Sequence, residues 1–468
     1  MPELNSKFSA TDILNVTGGS LLFGSLLASF NNISTDSRTI KPRELFIALK
    51  GEHFDGHSFI HEVYEKGAGG AIVNKGFLGK EGLNGERTTI EVEDTLRALG
   101  DIAHFWRMKH SIQIVGITGS NGKTTTKEMI SSILGIHFNI LKTEENFNNL
   151  IGLPLTLLRL SGKEDMAVLE MGTNTRYEIK RLSEISVPNV AVITNIGQAH
   201  LQGLLSVEEV GKEKGDLFRA LKENDFAIIN EDDPIVLREA TECKCRKIGF
   251  SITEDSDIMA KDISIDNSGK VSFRLTNKDK DVIINLPLNG AFNIYNALAA
   301  AGVAQALDVG LEIIKEGLER IKPMPGRMEI IKLDDYTIIN DSYNANPSSM
   351  AQALKTLSGF KSKGRTIAVL GDMLELGEFT KSAHIQIGNM VSELGIDYLF
   401  TLGNDSANIA MAAFEGGMNE KNIYVEKEHQ DVTEKLRTII TKGDCVLVKG
   451  SRSMKMELIV NDLTAREE

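Results

Sequence analysis

Along the chain, short uninterrupted apolar runs alternate with stretches in which apolar positions recur every third or fourth residue. Runs of the first kind read as buried strands and stretches of the second as amphipathic helices. The alternation is most regular between residues 109 and 322. SIQIVGI (111–117) is a buried strand, and a glycine-rich turn carries it into the helix TTTKEMISSILG (124–135). MAVLEMG (166–172), NVAVITNIG (189–197) and DFAIIN (225–230) are further strands separated by helical stretches. Strand followed by helix, repeated, predicts a parallel sheet covered on both faces. Residues 255–288 change period, with short alternating strands around DNSG (266–269) and NKDK (277–280), which predicts an antiparallel appendage before the helix NIYNALAAAGVAQAL (293–307).

The flanking regions read as separate units. Before residue 109, LFIAL (45–49), AGGAIVN (68–74) and the helical DTLRALGDIAHFWRMK (94–109) form a small α/β unit without a GxGxxG fingerprint. Two prolines and a glycine in KPMPGRME (322–329) mark a second boundary. Beyond it, YTIIND, RTIAVLGD, DYLFTLG and DCVLVKG are four strands of a doubly wound unit. The fold class is therefore α/β with three domains. A small N-terminal α/β domain spans 1–108, a central parallel-sheet domain of P-loop type 109–322, and a doubly wound Rossmann-like domain 323–468. A length of 468 residues agrees, being too long for one ordinary domain.

Composition narrows the class further. No apolar stretch is long enough to span a bilayer, and MPELNSKFSATDIL lacks the order of a secretory signal, so a cytoplasmic location is the expectation. A net charge of −13 disfavours nucleic acid as a partner but leaves room for a small anion in a local basic pocket. Cys243, Cys245 and Cys445 make an odd count, which predicts reduced thiols, and no second pair has zinc spacing.

The turn after the first central strand reads GITGSNGKTTT (116–126). In the common phosphate loop a glycine stands five positions before Gly-Lys; here that position is Ile117. Even so, a strand, a glycine turn and a helix starting at Lys123-Thr124 aim several unpaired N–H groups at one point, an anion site strengthened by the helix dipole. Lys123 adds a full charge for terminal phosphates, and the Thr124 hydroxyl suits a magnesium ion. Other polar residues follow the predicted strands: Glu170, Asn195, His200 and, further on, Lys214 of KEKGDLF. Each alone reads as a strand end, a structural histidine or a surface lysine; their shared placement around the loop points to one site. Glu170, an oxygen ligand, fits a hard cation.

TGSNGKTTT, TEENFNNLIGLP (143–154), LEMG (169–172) and TNIGQAHL (194–201) together resemble the Mur ligase family, the ATP-dependent amino-acid-adding enzymes of peptidoglycan synthesis. In that family the loop reads TG-[TS]-NGKT, which accounts for the offset. STDSRTIKPRELFIALKGEHFDGHSFI (34–60) resembles the N-terminal domain of the two later-acting ligases, and the DNPR motif of the third-residue ligase is absent. NDSYNANPSSM (340–350), VLGDMLELGE (369–378) and VLVKGSRSMKME (446–457) resemble the member that acts last. The N-terminal segment argues against a folylpolyglutamate-type synthetase, and the acceptor-type motifs argue against a P-loop regulator or transport ATPase.

The resemblance implies ATP, two magnesium ions and a carbamylated lysine as cofactors, with UDP-N-acetylmuramoyl-tripeptide and D-alanyl-D-alanine as substrates. It further implies a monomer and a role in cell-wall biogenesis, and through it in cell shape, the cell cycle and division. Thr118, Gly119, Ser120, Asn121, Gly122, Lys123, Thr124 and Thr125 would hold the phosphates. Thr124, Glu170, His200 and carbamylated Lys214 would hold metal, with Lys123, His200, Lys214 and Glu170 catalytic. Relatives have Glu two positions after that lysine; here it is the shorter Asp216. Asn293 and Asn296 would lie near adenine, Arg327 at the phosphates and Asp341 at the ribose. Thr143, Asn146, Asn148 and Asn149 would meet the sugar nucleotide and acyl group, though an Asn-rich loop also reads as turn chemistry. Asn344, Asn346, Lys449 and Arg452 would position the dipeptide. Ser34, Thr35, Asp36, Ser37 and Arg38 would take the uridine diphosphate end, a stretch that also reads as a plain turn. Asn293 equally reads as a helix cap. Closure of the outer domains on the central one would gate the reaction.

Overall fold

A computed structural model describes residues 8–51, 54–77, 87–266, 269–278, 280–361 and 364–465. The chain forms two compact units: residues 1–116, 138–172 and 180–189 make the first, and 117–137, 173–179 and 190–468 the second.

The first unit contains β1 (Phe8–Ser9), β2 (Ser20–Phe23), β3 (Ser29–Phe30), β4 (Ile33–Ser34), β5 (Leu45–Ile47), β6 (Gly70–Asn74) and β7 (Thr88–Val92). β1 pairs with β3, and the other five form a sheet in the order β2-β7-β6-β5-β4, parallel except for β2. Phe46, Ala71 and Val73 from this sheet, with Ala48 just after β5, pack against Ile60 and Val63 of the helix Ile60–Glu65. The expected helix runs Thr95–Met108 and starts where the Asp94 carboxylate accepts from the Arg97 N–H at 2.9 Å. β8 (Gln113–Thr118) begins in this unit, beside β10 (Met166–Glu170), with β9 (Ile140–Lys142) at the edge.

β8 ends in the second unit, where β11 (Val190–Ile193), β12 (Phe226–Asn230), β13 (Arg246–Ser251) and β14 (Ile258–Ile265) continue in parallel. β15 (Lys270–Asn277) and β16 (Lys280–Asn289) then run antiparallel, as the change of period predicts. In the turns expected there, residues 267, 268 and 279 lie outside the described residues.

The rest of the second unit is a six-stranded sheet: β17 (Glu329–Lys332), β18 (Thr337–Asp341), β19 (Thr366–Gly371), β20 (Tyr398–Leu402), β21 (Ile423–Glu426) and β22 (Cys445–Lys449). The order is β17-β18-β22-β19-β20-β21, parallel except for β17. Successive residues face opposite layers: Ile339, Ala368 and Leu447 join one core, Ile338, Ile367 and Val446 the other. Burial on both faces is why these strands read as unbroken apolar runs. The edge strands β17 and β21 are only partly buried, and their EIIK and IYVE carry no such run, so sequence reading misses them.

One expectation fails. Cys243 and Cys245 are joined in a disulfide, and Cys445 is buried outside it. Counting cysteines over a long chain overlooks that one intervening residue leaves two Cα atoms 5.4 Å apart, within bridging reach. Among the described residues no helix is long and apolar enough to cross a membrane.

Candidate active site

The loop between β8 and the helix Lys123–Leu134 is shaped by two glycines with left-handed φ, +147° at Gly119 and +82° at Gly122. A Cβ at Gly119 would collide with the Thr194 hydroxyl, and one at Gly122 with the Asn296 amide oxygen. Only glycine meets both the backbone and the packing requirement. Thr118, Ser120 and Thr125 are buried in this turn. The Lys123 ammonium folds back to the Gly119 carbonyl at 2.7 Å, so it lies over the loop whose phosphates it would meet.

The strand end after β11 braces the loop from one side. The Ser120 N–H donates to the Asn195 carbonyl at 2.9 Å, the Asn121 N–H to Asn195 Oδ1 at 3.0 Å, and the Thr194 hydroxyl to the Asn121 carbonyl at 2.5 Å. The alanine-rich helix braces it from below. Asn296 Nδ2 donates to Asn293 Oδ1 at 2.9 Å, Asn293 Nδ2 to the Asn289 carbonyl at 2.7 Å, and Asn296 Oδ1 accepts from Thr126. Both amides are buried. Asn293 is not the cap of its helix; that position is Ala291.

Residues beyond 322 reach the same loop. Arg327 donates to Thr124 Oγ1 at 2.9 Å, and Asn346 Nδ2 to Asn121 Oδ1 at 2.8 Å. The Arg327 guanidinium lies over the Tyr343 ring at 4.0 Å, and that of Arg452 lies 5.6 Å from the same ring. Lys449 is buried and already paired, with Asp341 at 2.5 Å and with the Asn344 carbonyl at 2.8 Å. The other Asp341 oxygen accepts from the Met328 N–H at 3.0 Å. This pair ties β18 to β22, while Arg452, whose side chain is 60% exposed, pairs with Glu457 at 2.7 Å. Asn344 Oδ1 accepts from the Ala345 N–H at 2.9 Å.

His200 and Lys214 complete this unit's polar set. His200 Nδ1 meets Glu375 at 2.8 Å. Burial pushes the His200 imidazole below its ordinary range; the Glu375 hydrogen bond opposes this, and the charges of Lys214 and Lys123 add to it. Lys214 is fully buried, and among the described residues its Nζ has no hydrogen-bond partner. Burial first, then the Lys123 charge, hold this amine well below the usual lysine range, against the pull of Glu213. Glu213 itself accepts from the Tyr177 and Ile179 N–H groups at 2.6 and 2.8 Å. Asp216 pairs with Arg219 on its own helix at 2.9 Å. Sequence reasoning missed Thr194, Glu213, Tyr343 and Glu375; the last two lie inside the quoted motifs NDSYNANPSSM and VLGDMLELGE, where no role was assigned to them.

In the first unit, Glu170 is buried at the end of β10. Its carboxylate accepts from Asn148 Nδ2 at 2.9 Å and its N–H donates to Thr143 Oγ1 at 3.0 Å. Asn146 is exposed, and Asn149 Oδ1 accepts from the N–H groups of Ile151 and Gly152, which is turn chemistry. In the 34–38 stretch, Arg38 clasps Asp36 through Nε at 2.9 Å and a terminal nitrogen at 2.8 Å. The Arg38 side chain and backbone N–H hold the Asp36 carboxyl at about 2. Ser34 bonds to Asp36, the Ser37 carbonyl accepts from Lys66, and Thr35 is half-buried. The plain-turn reading thus has full hydrogen-bond support there.

Taken separately, the Glu170 carboxylate of the first unit and the Thr124 hydroxyl of the second are oxygen donors of the kind a hard cation takes, and the Lys214 amine marks a buried position short of a polar partner among the described residues. Among the described residues no three His, Cys, Asp or Glu side chains converge on one point. A cation held here would draw its remaining ligands from phosphate and water.

Family models match in three blocks: "Mur ligase family, catalytic domain" over residues 29–107, "Mur ligase middle domain" over 117–304, and "Mur ligase, glutamate ligase domain" over 326–452. The chain is 37% identical over 435 residues to the UDP-N-acetylmuramoyl-tripeptide–D-alanyl-D-alanine ligase of Bacillus subtilis (strain 168), covering 92% of this chain and 93% of that one. Among solved structures, it matches MurF from Acinetobacter baumannii with a TM-score of 0.88 and 31% identity over 98% of this chain and 99% of that one. It also matches MurF ligase from Thermotoga maritima in complex with ADP, with a TM-score of 0.82 and 28% identity over 92% and 96% of the two chains.

Proposed function

Because the chain belongs to the Mur ligase family, we infer that it uses ATP to join D-alanyl-D-alanine to UDP-N-acetylmuramoyl-tripeptide, giving ADP, phosphate and the pentapeptide nucleotide. The observation that carries this reading is the reach of Arg327 and Asn346 onto Thr124 and Asn121. A nucleotide switch needs no acceptor-bearing segment at its phosphate loop; a ligase does.

A carboxylate cannot be displaced by an amine until its oxygen becomes a good leaving group. The tripeptide's terminal carboxylate oxygen attacks the γ-phosphorus, the bond to the ADP oxygen breaks, and an acyl phosphate forms. The dipeptide amine then attacks the acyl carbon, loses a proton, and phosphate leaves. Both steps build negative charge on transferred oxygens, so fixed cations and N–H groups carry most of the catalysis. Lys123 and Arg327 supply charge at the phosphates; the turn Thr118–Thr125 supplies N–H groups. Asn293 and Asn296 shape the floor of the nucleotide site, and Asn344, Asn346 and Arg452 serve the dipeptide. Lys449 acts by holding Asp341 and the Asn344 carbonyl, and Asp341 serves the ribose from that brace. Thr143, Asn146, Asn148, Asn149 and residues 34–38 serve the sugar-nucleotide substrate.

Magnesium, when bound, neutralises phosphate charge; Thr124, Glu170, His200 and Lys214 are the residues that would hold the two ions. A half-buried His200 whose imidazole is held below its ordinary range favours the uncharged ring, which keeps a lone pair for a cation. Burial disfavours the charged form of Lys214, and its deprotonated amine is a nucleophile for carbon dioxide: a nitrogen–carbon bond forms, a proton leaves, and the amine becomes an anionic carbamate. That change supports the assignment, since it turns a group that would repel a cation into an oxygen ligand. The family blocks at 29–107, 117–304 and 326–452 support domains at 1–108, 109–322 and 323–468. A monomer in the cytoplasm, where ATP is available, completes the reading.

Phosphate release from magnesium, ATP and UDP-N-acetylmuramoyl-tripeptide, with and without D-alanyl-D-alanine, tests it. Release that needs both substrates and yields the pentapeptide is the expected result. Release indifferent to the dipeptide overturns it.

A further inference from the structure

His200 and Glu375 both adopt left-handed backbone conformations, with φ of +55° and +63°. Such residues are uncommon outside glycine and persist where surrounding structure holds them. Here they face each other: His200 Nδ1 lies 2.8 Å from Glu375 Oε2, and the Glu375 carbonyl accepts from the Gln202 N–H at 3.0 Å. The loop that carries Glu375 is fixed residue by residue. Asp372 accepts from the Asn404 and Ser406 N–H groups, the Met373 N–H donates to buried His384 Nε2 at 3.0 Å, and the Leu374 N–H donates to Ser451 Oγ at 2.9 Å.

A carboxylate only accepts, so the imidazole nitrogen facing it must carry the proton. The remaining nitrogen, Nε2, is then the one with a free lone pair. We propose that Glu375 is a positioning residue for His200: docked from the segment beyond 322, it selects the Nδ1–H tautomer and turns Nε2 toward the reacting groups. The inference rests on the reading of His200 as part of the active site. With the Glu375 side chain 56% exposed, the pair contributes little to stability, and its consequence is directional.

The test is long-range proton–nitrogen correlation on the full chain with nitrogen-15-labelled histidine, the His200 signals being identified by their loss in His200→Gln. The wild-type ring should show a protonated Nδ1 and a bare Nε2. Glu375→Ala should shift the ring toward the Nε2–H form and lower kcat by about 10- to 100-fold at unchanged KM for ATP, with little change in melting temperature. Glu375→Gln, whose amide oxygen still accepts, should keep the wild-type tautomer and restore most of kcat. An unchanged tautomer in Glu375→Ala, or a Gln variant as impaired as the Ala variant, overturns the proposal. Wild-type turnover by His200→Gln overturns the reading of His200 and the proposal with it. The ring measurement needs no substrate, so a failed ligase assignment would be told apart from a failed positioning role.

Discussion

Arg327 donates a hydrogen bond to the hydroxyl of Thr124 at 2.9 Å across 203 positions of sequence. A residue two positions before β17 thereby touches the first turn of the phosphate-loop helix. Stacked on Tyr343, the guanidinium keeps its planar fork aimed at the loop. Arg327→Ala should lower kcat by about 10²- to 10³-fold, the size of losing one preorganised charge donor. Arg327→Lys should recover only part of this, because an ammonium neither stacks nor forks. Steady-state kinetics of both variants decide the point, and equal rates for Lys and wild type would refute it.

Gly122 is constrained twice, by its φ of +82° and by the Asn296 amide against its α-carbon. Gly122→Ala should weaken nucleotide binding and lower stability. Adding Asn296→Ala should relieve the collision but not the backbone strain, so the double variant recovers only partly. Calorimetric titration with ADP and thermal melts would show this; full recovery would mean that the dihedral imposes no cost.

Lys214 is buried without a hydrogen-bond partner among the described residues, and an unsatisfied buried donor costs about 1–3 kcal/mol. Lys214→Met should therefore melt higher than wild type while losing turnover. The sign with pH follows from the depressed pKa. Below the ordinary lysine range the unfolded chain holds a proton that the folded chain lacks, so stability from this group rises with pH and falls as acid is added. The Met variant should lose that slope. Separately, enzyme stripped of carbon dioxide should regain activity on adding bicarbonate, and indifference to bicarbonate would count against the carbamate.

Asp444 is buried and accepts from Arg365 Nε, an Arg365 terminal nitrogen and the Thr441 N–H at 3.1, 2.6 and 2.7 Å. Burial alone would raise this carboxyl, but the Arg365 and Thr441 hydrogen bonds outweigh it and hold it below the ordinary range. A depressed carboxylate contributes its full stability above the unfolded value of about 4 and loses it as pH falls through the folded value. Asp444→Asn should cost about 1.5–3 kcal/mol at neutral pH, the size of hydrogen bonds to a charged group, since the Arg365 partner is partly exposed. The gap should close in acid. Denaturant melts at pH 7 and pH 3 measure both ends, and a gap independent of pH would refute the assignment.

Much of this molecule is written in local pattern. Strands buried on both faces, such as Thr366–Gly371 and Cys445–Lys449, show as continuous apolar runs, and the turn TGSNGK shows as glycines before a helix-starting lysine. These signals need only neighbouring residues, because burial and backbone conformation act over a few positions. The edge strands Glu329–Lys332 and Ile423–Glu426 escaped because a half-buried strand needs few apolar residues, and the Cys243–Cys245 bond escaped because oxidation is not a property of spacing counts.

Sequence by itself determined the α/β class, the phosphate loop, and the polar residue types at the strand ends, since each rests on short-range periodicity or on a motif. Only tertiary structure decided which of those residues are paired and which are left open. Lys449 and Asp341 satisfy each other, Asp36 and Arg38 close a turn, Lys214 finds no hydrogen-bond partner among the described residues, and Glu375 meets His200 across 175 positions. The reason is physical: a side chain's charge, tautomer and availability depend on what surrounds it in space, and those neighbours come from segments that local sequence cannot bring together.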